Sequence, residues 1–340
     1  MAKTAIKKIP AATLLQRQFL TQLDFSSKYS ELQNYAFRAV QFKAAHEEHE
    51  EKTWLTHVTI PALSNLRYEV WTSGQAPSRS IKGGMSIARY GGLSLYSIHA
   101  PGDDLKKSAV QAYKKLFHEI QKNPQERLLR AWNYIPNILD ANGDLERYHE
   151  FNRGRFEAWQ KYGPKDAEGR PIYPAATGIG SHGGPVVIEC LTTVYDVQHL
   201  QNPRQTPAHL YSKKYGSLPP VFARATLHIA PDGVELYISG TASIVGEDAI
   251  HLDDPLQQAK ETLLNIAALI GRENLKGTGH AGFELKDLEV VRVYVKHPKD
   301  LAIIRREVEK SIPSEHIIYL HDDICRKEWL LEIEAVARKR

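Results

Sequence analysis

The sequence predicts an α+β fold in which one unit of strand, strand, helix and strand occurs twice. Short runs of alternating apolar and polar residues indicate strands, and amphipathic segments of helical length follow them. Both patterns recur in the same order in two parts of the chain, which indicates an internal duplication. We therefore expect mixed or antiparallel β-sheets, each backed by helices on one face.

The two copies are visible as matching segments. The first copy contains the strand pattern IARYGGLSLYSIHA (87–100), the helix pattern SAVQAYKKLFHEI (108–120) and the strand pattern LLRAWNYIP (128–136). The second copy contains FARATLHIAPDGVELYISGTASI (222–244), DPLQQAKETLLNIAALI (254–270) and LEVVRVYVKHP (288–298). Arg130-Ala131-Trp132 of the first copy corresponds to Arg292-Val293-Tyr294 of the second.

The second copy shows the periodicity most clearly. One face of its first strand is expected to carry Ala223, Ala225, Leu227 and Ile229, and Asp254 followed by Pro255 is a typical helix start. The helix that follows has an apolar stripe suited to covering one face of a sheet, formed by Leu256, Ala259, Leu263, Ile266 and Leu269.

Length and composition exclude several classes of protein. The 340 residues suffice for two domains, and 44 basic against 40 acidic residues leave a net charge of only +4. No long basic tract precedes the last three residues, so nucleic-acid binding is not expected. The two cysteines, Cys190 and Cys325, do not have the spacing of zinc ligands, and no metal site is expected. No apolar leader or membrane span is recognisable, so we expect a cytoplasmic protein that does not bind membranes.

Two glutamates lie in the last predicted strand, LLEIEAVA (330–337). Alternation places Glu332 and Glu334 on the same face, about 7 Å apart, and each would raise the other's proton affinity if one were desolvated. A carboxyl group kept protonated near neutral pH can act as a general acid. The alternative is that both side chains are solvated on an exposed face.

Two further segments combine tyrosine with arginine. In ERYHEFNRGRFEAW (146–159), Tyr148, Arg153 and Arg155 suit an anionic ligand, because the guanidinium fork matches a carboxylate. A surface loop with ordinary salt bridges is the alternative. In HLYSKKYGSLPPVFARATL (209–227), Tyr211 precedes Arg224, which we expect within an apolar strand, where it needs a protein carboxylate or a ligand as partner.

The glycine-rich stretch PAATGIGSHGG (174–184) is expected to be flexible backbone that forms a turn before the buried strand VVIEC. It lacks both nucleotide-binding glycine patterns. Cys325, beside Arg326, is either a reactive thiol or a small buried apolar residue.

Together these segments resemble the chorismatases. The resemblance is carried by RAWNYIPNI, YHEFNRGRFEAW, GIGSHGG, NPRQTPAHLYSKKYGSLPPVFARAT and DICRKEWLLEIEA, while YISGTAS, GED, QQAKETLLNI and EIEAVA resemble the YjgF/RidA fold. It implies duplicated YjgF/RidA-like (chorismate mutase-like) units. Residues 1–200 would form a degenerate N-terminal unit with an N-terminal extension, and residues 201–340 a C-terminal unit with the catalytic glutamate.

The resemblance also implies an activity. Chorismatases remove the enolpyruvyl group of chorismate as pyruvate, so the expected partner is this small molecule, without a cofactor, and the chain would act as a monomer or homotrimer. The catalytic glutamate corresponds to Glu332, and Glu334 would support it. The substrate-binding residues correspond to Tyr148, Arg155, Tyr211 and Arg224.

The ring product depends on the subtype. Gly240 and Cys325 resemble the aromatising subtype and imply 3-hydroxybenzoate as product, alone or with 4-hydroxybenzoate. The first alternative is a hydrolytic chorismatase that forms 3,4-dihydroxycyclohexa-1,5-diene-1-carboxylate. A RidA-like imine deaminase and a non-catalytic metabolite-binding protein are further alternatives, since the fold alone does not decide function.

Overall fold

The computed structural model describes residues 15–45, 47, 54–143 and 145–339. The N-terminal residues 1–14, in which no apolar leader was expected, lie outside this part. Within the described residues, no helix combines the length and the apolar character needed to cross a membrane.

The N-terminal part of the chain forms a four-stranded sheet with the strand order β1-β4-β2-β3. Its strands are β1 (Gln16–Thr21), β2 (Ala36–Phe42), β3 (Thr56–Val58) and β4 (Leu66–Thr72). Two short helices, α1 (Gln22–Ser27) and α2 (Tyr29–Tyr35), join β1 to β2. The pair β2 and β3 is parallel, and the other pairs are antiparallel.

The middle part forms a six-stranded sheet with the order β11-β8-β12-β7-β6-β5. Its elements are β5 (Ser78–Lys82), β6 (Met85–Tyr90), β7 (Leu93–Ala100), α3 (Leu105–Ile120), β8 (Arg127–Pro136), the hairpin β9 (Ala141–Asn142) and β10 (Leu145–Glu146), α4 (Arg147–Tyr162), β11 (Ala175–Ser181) and β12 (Val186–Thr193). The side chain of Asp104 caps α3 by accepting a hydrogen bond from the Lys107 amide. Both long helices pack on the same face of the sheet, where Tyr113 and Trp159 share one apolar core.

The C-terminal part forms a second six-stranded sheet with the order β13-β14-β15-β20-β18-β19. Its elements are β13 (Asp196–Leu200), β14 (Ala225–Ala230), β15 (Gly233–Thr241), the hairpin β16 (Ile244–Val245) and β17 (Asp248–Ala249), α5 (Pro255–Ile270), α6 (Arg272–Leu275), β18 (Leu288–Val295), α7 (Leu301–Val308), β19 (Ile317–His321) and β20 (Leu331–Arg338). Short 3-10 helices occur at Ala208–Leu210, Lys213–Tyr215, Lys276–Thr278, Leu285–Asp287, Pro298–Asp300 and Ser314–His316. Asp254 caps α5 and Pro255 is its first residue, as predicted.

The two six-stranded sheets have the same topology. In each, the last strand of the unit (β12 or β20) lies centrally, and the strand after the first long helix (β8 or β18) pairs in parallel with the strand beside it (β11 or β19). This match confirms the predicted α+β fold with duplicated units and helices on one face. The division of the chain at residues 200 and 201 stays a prediction; β13 pairs with β14 of the C-terminal sheet.

The three sheets share an apolar core on the faces that their helices do not cover. Trp71 of the N-terminal sheet, Trp132 of the middle sheet and Tyr237 of the C-terminal sheet all belong to it. Because these faces are turned towards each other, polar side chains on them are either buried in the centre or directed into clefts between sheets.

The expectation of flexible backbone in the glycine-rich stretch is wrong for residues 175–181. These residues form β11, which pairs in parallel with β8. Glycine is needed there for space: a Cβ atom on Gly180 would lie 2.3 Å from Oδ1 of Asp322. The turn comes later, at Gly183 and Gly184, which both have positive φ angles.

Candidate active site

A cavity of about 550 Å³ lies between the middle and C-terminal sheets. Its wall comes from β8, α4 and β11 on one side and from β15, β20 and the loops before β14 and β20 on the other. The seven residues that the family resemblance implied for catalysis, product choice and substrate binding line this one cavity, namely Tyr148, Arg155, Tyr211, Arg224, Gly240, Cys325 and Glu332. Arg153 and Glu334, the other two candidates from the sequence, are not among its lining residues.

Glu332 projects from β20, opposite Tyr294 of β18. Its side chain is buried, and among the described residues none donates a hydrogen bond to its carboxyl group. Burial, together with the negative charge of Glu334, raises the pKa of Glu332 to about 8, against the opposing influence of Arg130 and Arg224. Glu332 is therefore largely protonated at neutral pH.

Glu334 lies on the same face of β20, as alternation predicted, but in a different environment. It accepts hydrogen bonds from Arg292 (2.7 Å) and Tyr294 (3.1 Å) and contacts both Arg130 and Thr177 closely. Burial alone would raise the pKa of Glu334, but the two arginines lower it below the ordinary value. The alternative of two solvated glutamates is wrong, because each side chain is only 3–4% exposed.

Gly240 makes room for the Glu332 carboxyl group. The ladder between β15 and β20 shifts register between Ile238 and Thr241, which places Gly240 in the irregular part of the strand. A Cβ atom there would lie 2.1 Å from Oε1 of Glu332 and 3.1 Å from Cγ2 of Thr177. The Gly240 amide donates a hydrogen bond of 3.0 Å to the Thr177 hydroxyl.

Arg155 on α4 is a buried guanidinium that lines the cavity. Its Nε atom donates to the Tyr113 hydroxyl at 3.0 Å, and its buried Nη2 atom has no hydrogen-bond acceptor within the described ranges. Among the described residues, none supplies a carboxylate to it. Arg153 of the same helix is exposed and does not line the cavity.

Arg224 is the second buried guanidinium of the cavity. The expectation that Arg224 lies within a strand is wrong, because β14 begins at the next residue, Ala225. Its Nη2 atom donates to the Tyr211 hydroxyl (2.6 Å) and to the Thr206 carbonyl (3.0 Å), while Nε has no acceptor in the part of the chain that the structure describes. No described carboxylate forms an ion pair with Arg224.

Tyr148 and Cys325 lie together in the cavity wall. Burial raises the pKa of the Tyr148 hydroxyl well above its usual range, and Asn152 and Cys325 both interact with this hydroxyl. Burial and the neighbouring Glu332 raise the pKa of the Cys325 thiol to about 12. Both groups are therefore neutral near pH 7, which argues against Cys325 as a reactive thiolate.

Several lining residues were not found by sequence reasoning. The guanidinium of Arg326 stacks on the rings of Tyr215 (3.5 Å) and Trp329 (4.7 Å) at the cavity wall. Thr177 and Asn133 also line the cavity, and the Asn133 side chain donates to the Thr177 carbonyl at 2.8 Å. Asn133 lies in RAWNYIPNI, which carried the family resemblance, and Thr177 directly precedes GIGSHGG, but only the pairing of β8 with β11 shows that they face this cavity.

The arrangement combines one neutral carboxylic acid with two guanidinium groups that form no ion pair with any carboxylate in the described part of the chain. Because a buried charge without a partner is costly, Arg155 and Arg224 are suited to a ligand with two anionic groups. The neutral acid, Glu332, can donate a proton to such a ligand.

Comparisons with known proteins point in the same direction. Residues 69–192 match the family described as "Chorismatase FkbO/Hyg5-like, N-terminal". A chorismatase from Streptomyces rapamycinicus is 38% identical over 231 residues, covering 66% of this chain and 68% of its own length. A 3-hydroxybenzoate synthase from Streptomyces hygroscopicus is 34% identical over 277 residues, covering 79% of this chain and 80% of its own.

A solved structure agrees over nearly the whole chain. A chorismatase crystal structure matches with a TM-score of 0.85 and 29% identity, and the match covers 97% of this chain and 100% of that one. The chain belongs to the chorismatase family.

Proposed function

We propose that this protein cleaves chorismate into pyruvate and a hydroxybenzoate, with Glu332 as the proton donor. The observation that carries the proposal is the neutral Glu332 carboxyl group, which faces a cavity with two guanidinium groups. Neither of these has a counter-ion among the residues that the structure describes. Chorismate carries two carboxylates, so each of Arg155 and Arg224 would bind one of them. Tyr211 would hold Arg224 in place through their 2.6 Å hydrogen bond.

Proton transfer would start the reaction. The enolpyruvyl double bond is inert until its terminal carbon accepts a proton, which forms a new C–H bond and leaves an oxocarbenium ion. Glu332 would supply this proton and become a carboxylate. The same group would then stabilise the neighbouring cation that it has created.

The oxocarbenium ion can react in two ways, and the atoms balance in both reactions. If water adds to the cation, the products are pyruvate and a dihydroxylated cyclohexadiene carboxylate, and one water molecule is consumed. If the neighbouring ring hydroxyl takes part, the pyruvyl group leaves and the ring aromatises without net consumption of water.

We propose the aromatising outcome, with 3-hydroxybenzoate as the main product. It is supported by Gly240 and Cys325 in the cavity wall and by the relative named 3-hydroxybenzoate synthase. Cys325 would act as a neutral thiol that shapes the space beside the cation, since its raised pKa disfavours the thiolate. The hydrolytic reaction is the alternative.

The proposal is tested by incubating the purified protein with chorismate. Pyruvate is followed with a coupled dehydrogenase, and the ring product is identified by chromatography against both candidate products. Equal amounts of pyruvate and 3-hydroxybenzoate are expected. The diol as main product would favour the hydrolytic alternative, and the absence of pyruvate would refute chorismate cleavage.

A further inference from the structure

Six buried residues form a chain of alternating charges that ends beside the cavity. We call it the buried charge chain, and it runs in the order Glu189, Arg38, Glu69, Arg292, Glu334 and Arg130. Each of these side chains is at most 4% exposed. All three sheets contribute two members, so the chain connects the N-terminal sheet to the cavity wall.

The contacts along the chain are direct. Arg38 donates two hydrogen bonds to Glu189, at 2.6 and 3.0 Å, and contacts Glu69 closely. Arg292 donates two to Glu69, at 2.6 and 2.8 Å, and one to Glu334 at 2.7 Å. Arg130 completes the chain by pairing with Glu334.

The charges in the chain balance. It contains three guanidinium groups and three carboxylates, so each positive charge is neutralised within it. Glu332 is the next carboxyl group on the same face of β20, and no arginine of the chain forms an ion pair with it in the described part of the molecule. Without a counter-ion, a buried carboxyl group is more stable in its neutral form.

Glu69 neutralises the positive charge that would otherwise disturb this balance. If Glu69 lost its charge, the three arginines of the chain would exceed the two remaining carboxylates, Glu189 and Glu334, by one positive charge. A buried excess of positive charge favours an anion nearby, and Glu332 is the carboxyl group that can still release a proton.

We propose that Glu69 of the N-terminal sheet is a positioning residue of the reaction, which keeps Glu332 protonated by neutralising Arg292. This inference rests on the proposed function, in which Glu332 is the proton donor. It assigns the N-terminal sheet a task that neither duplicated unit performs, because Glu69 comes from β4.

The other charged and titratable groups around Glu332 do not compensate for a lost charge on Glu69. Glu334 on its own strand raises its proton affinity, while Arg130 from β8 and Arg224 before β14 lower it. Tyr294 on β18 and Cys325 in the preceding loop are neutral at pH 7, as is Tyr148 on α4. Arg292 acts on this balance through Glu334, to which it donates a hydrogen bond of 2.7 Å. An unpaired charge on Arg292 would offset the negative charge of Glu334, which raises the proton affinity of Glu332.

The test compares the pH dependence of kcat in the wild type and in Glu69→Gln. The midpoint at which activity falls with rising pH should move down by about one unit, the order expected of one uncompensated buried charge. Glu189→Gln, further along the chain, should shift the midpoint in the same direction but less. In Glu69→Gln/Arg292→Met the remaining charges form the pairs Arg38–Glu189 and Arg130–Glu334, and the midpoint should return towards that of the wild type.

The double variant separates an electrostatic effect from structural damage. Damage from two substitutions would add up, whereas the electrostatic effects of removing one negative and one positive charge would cancel, so the midpoint would return towards the wild-type value. An unchanged midpoint in Glu69→Gln, or a double variant that shifts further, would overturn the inference. If Glu69→Gln does not fold, Glu189→Gln takes its place. An unchanged midpoint in Glu189→Gln, or a midpoint of the double variant that lies below that of Glu189→Gln, would then overturn the inference.

An infrared titration distinguishes failure of this inference from failure of the proposed function. The protonated-carboxyl band that disappears in Glu332→Gln reports the protonation of Glu332 without any turnover. In Glu69→Gln this band should be lost at lower pH than in the wild type. If Glu332→Gln remains fully active, the proposed function fails; if the band titrates at the same pH in both proteins, only the role of Glu69 fails.

Discussion

Gly240 and Glu332 are in such close contact that a Cβ atom on the glycine would lie 2.1 Å from the carboxyl oxygen of the glutamate. The absence of a side chain on β15 thus determines where the carboxyl group of β20 lies. In this position the neutral Glu332 carboxyl group faces the same cavity as Arg155 and Arg224. It can therefore act on a ligand that these two arginines bind.

Gly240→Ala is expected to lower kcat by at least about tenfold, because the new methyl group displaces the Glu332 carboxyl group from its place in the cavity. Steady-state kinetics with chorismate measure the effect. Gly277→Ala is the matched control. A Cβ atom on Gly277 would have no described neighbour within 4 Å, and the residue lies in the 3-10 helix Lys276–Thr278, which does not line the cavity. A kcat of Gly240→Ala equal to that of the control would show that Glu332 adapts to the methyl group.

Arg155→Gln and Arg224→Gln are each expected to lower kcat/KM by roughly 100-fold, since each removes the partner of one substrate carboxylate. Lysine at either position should restore only part of the loss, because it has the charge without the planar fork. Arg153→Gln is the control on the same helix, as Arg153 is exposed and outside the cavity. A loss of similar size in the control would contradict the assignment of Arg155 as a substrate ligand.

Glu332→Gln is expected to be more stable than the wild type at pH 8. The pKa of Glu332 is about 8 in the folded protein and about 4.3 in the unfolded chain. Between these values the folded state holds a proton that the unfolded state has lost, so the stability of the wild type falls as pH rises through this window. Glutamine cannot lose a proton, and its variant should gain a few kcal/mol relative to the wild type at pH 8.

Chemical denaturation of both proteins at pH 5 and pH 8 measures this difference. The gain should be much smaller at pH 5, where Glu332 is protonated in the folded state and partly protonated in the unfolded one. An equal stability difference at both pH values would mean that Glu332 does not have a raised pKa.

Cys325→Ala is expected to shift the products from 3-hydroxybenzoate towards the non-aromatic diol, because the space next to the cation becomes larger and admits water. Chromatography of the ring products measures the ratio. Cys190→Ala is the control, since Cys190 is buried in β12 among apolar residues of the helix-covered core. The same product ratio in all three proteins would remove Cys325 from the choice between the two outcomes.

Strand alternation was sufficient to predict much of the site. It placed Glu332 and Glu334 on one face of β20, and the alternating residues Leu331 and Ile333 do pack on the helix-covered side. Tyrosine and arginine in the same short segments indicated an anionic ligand, and Arg155 of α4 does line the cavity. Short-range patterns of this kind can be recognised without knowing which segments are neighbours.

The environment of the two glutamates could not be predicted in this way. The different protonation of Glu332 and Glu334 depends on Arg130 and Arg292, which come from strands of different sheets. The sequence matched these two arginines as equivalent positions of a duplication, but it did not show that both pair with Glu334. The β11 strand was missed because its glycines are typical of turns, while their actual reason is close contact with other segments, such as that of Gly180 with Asp322.

The central claim is that Glu332 supplies the proton that breaks the enol ether, and the variant Glu332→Gln tests it most directly. Turnover of chorismate and its dissociation constant are measured on the same preparation, the latter by calorimetry. We expect turnover to fall by roughly 100-fold or more while the dissociation constant changes only a few-fold, because the amide has nearly the same shape and cannot supply a proton. Turnover close to that of the wild type, with binding intact, would contradict the claim.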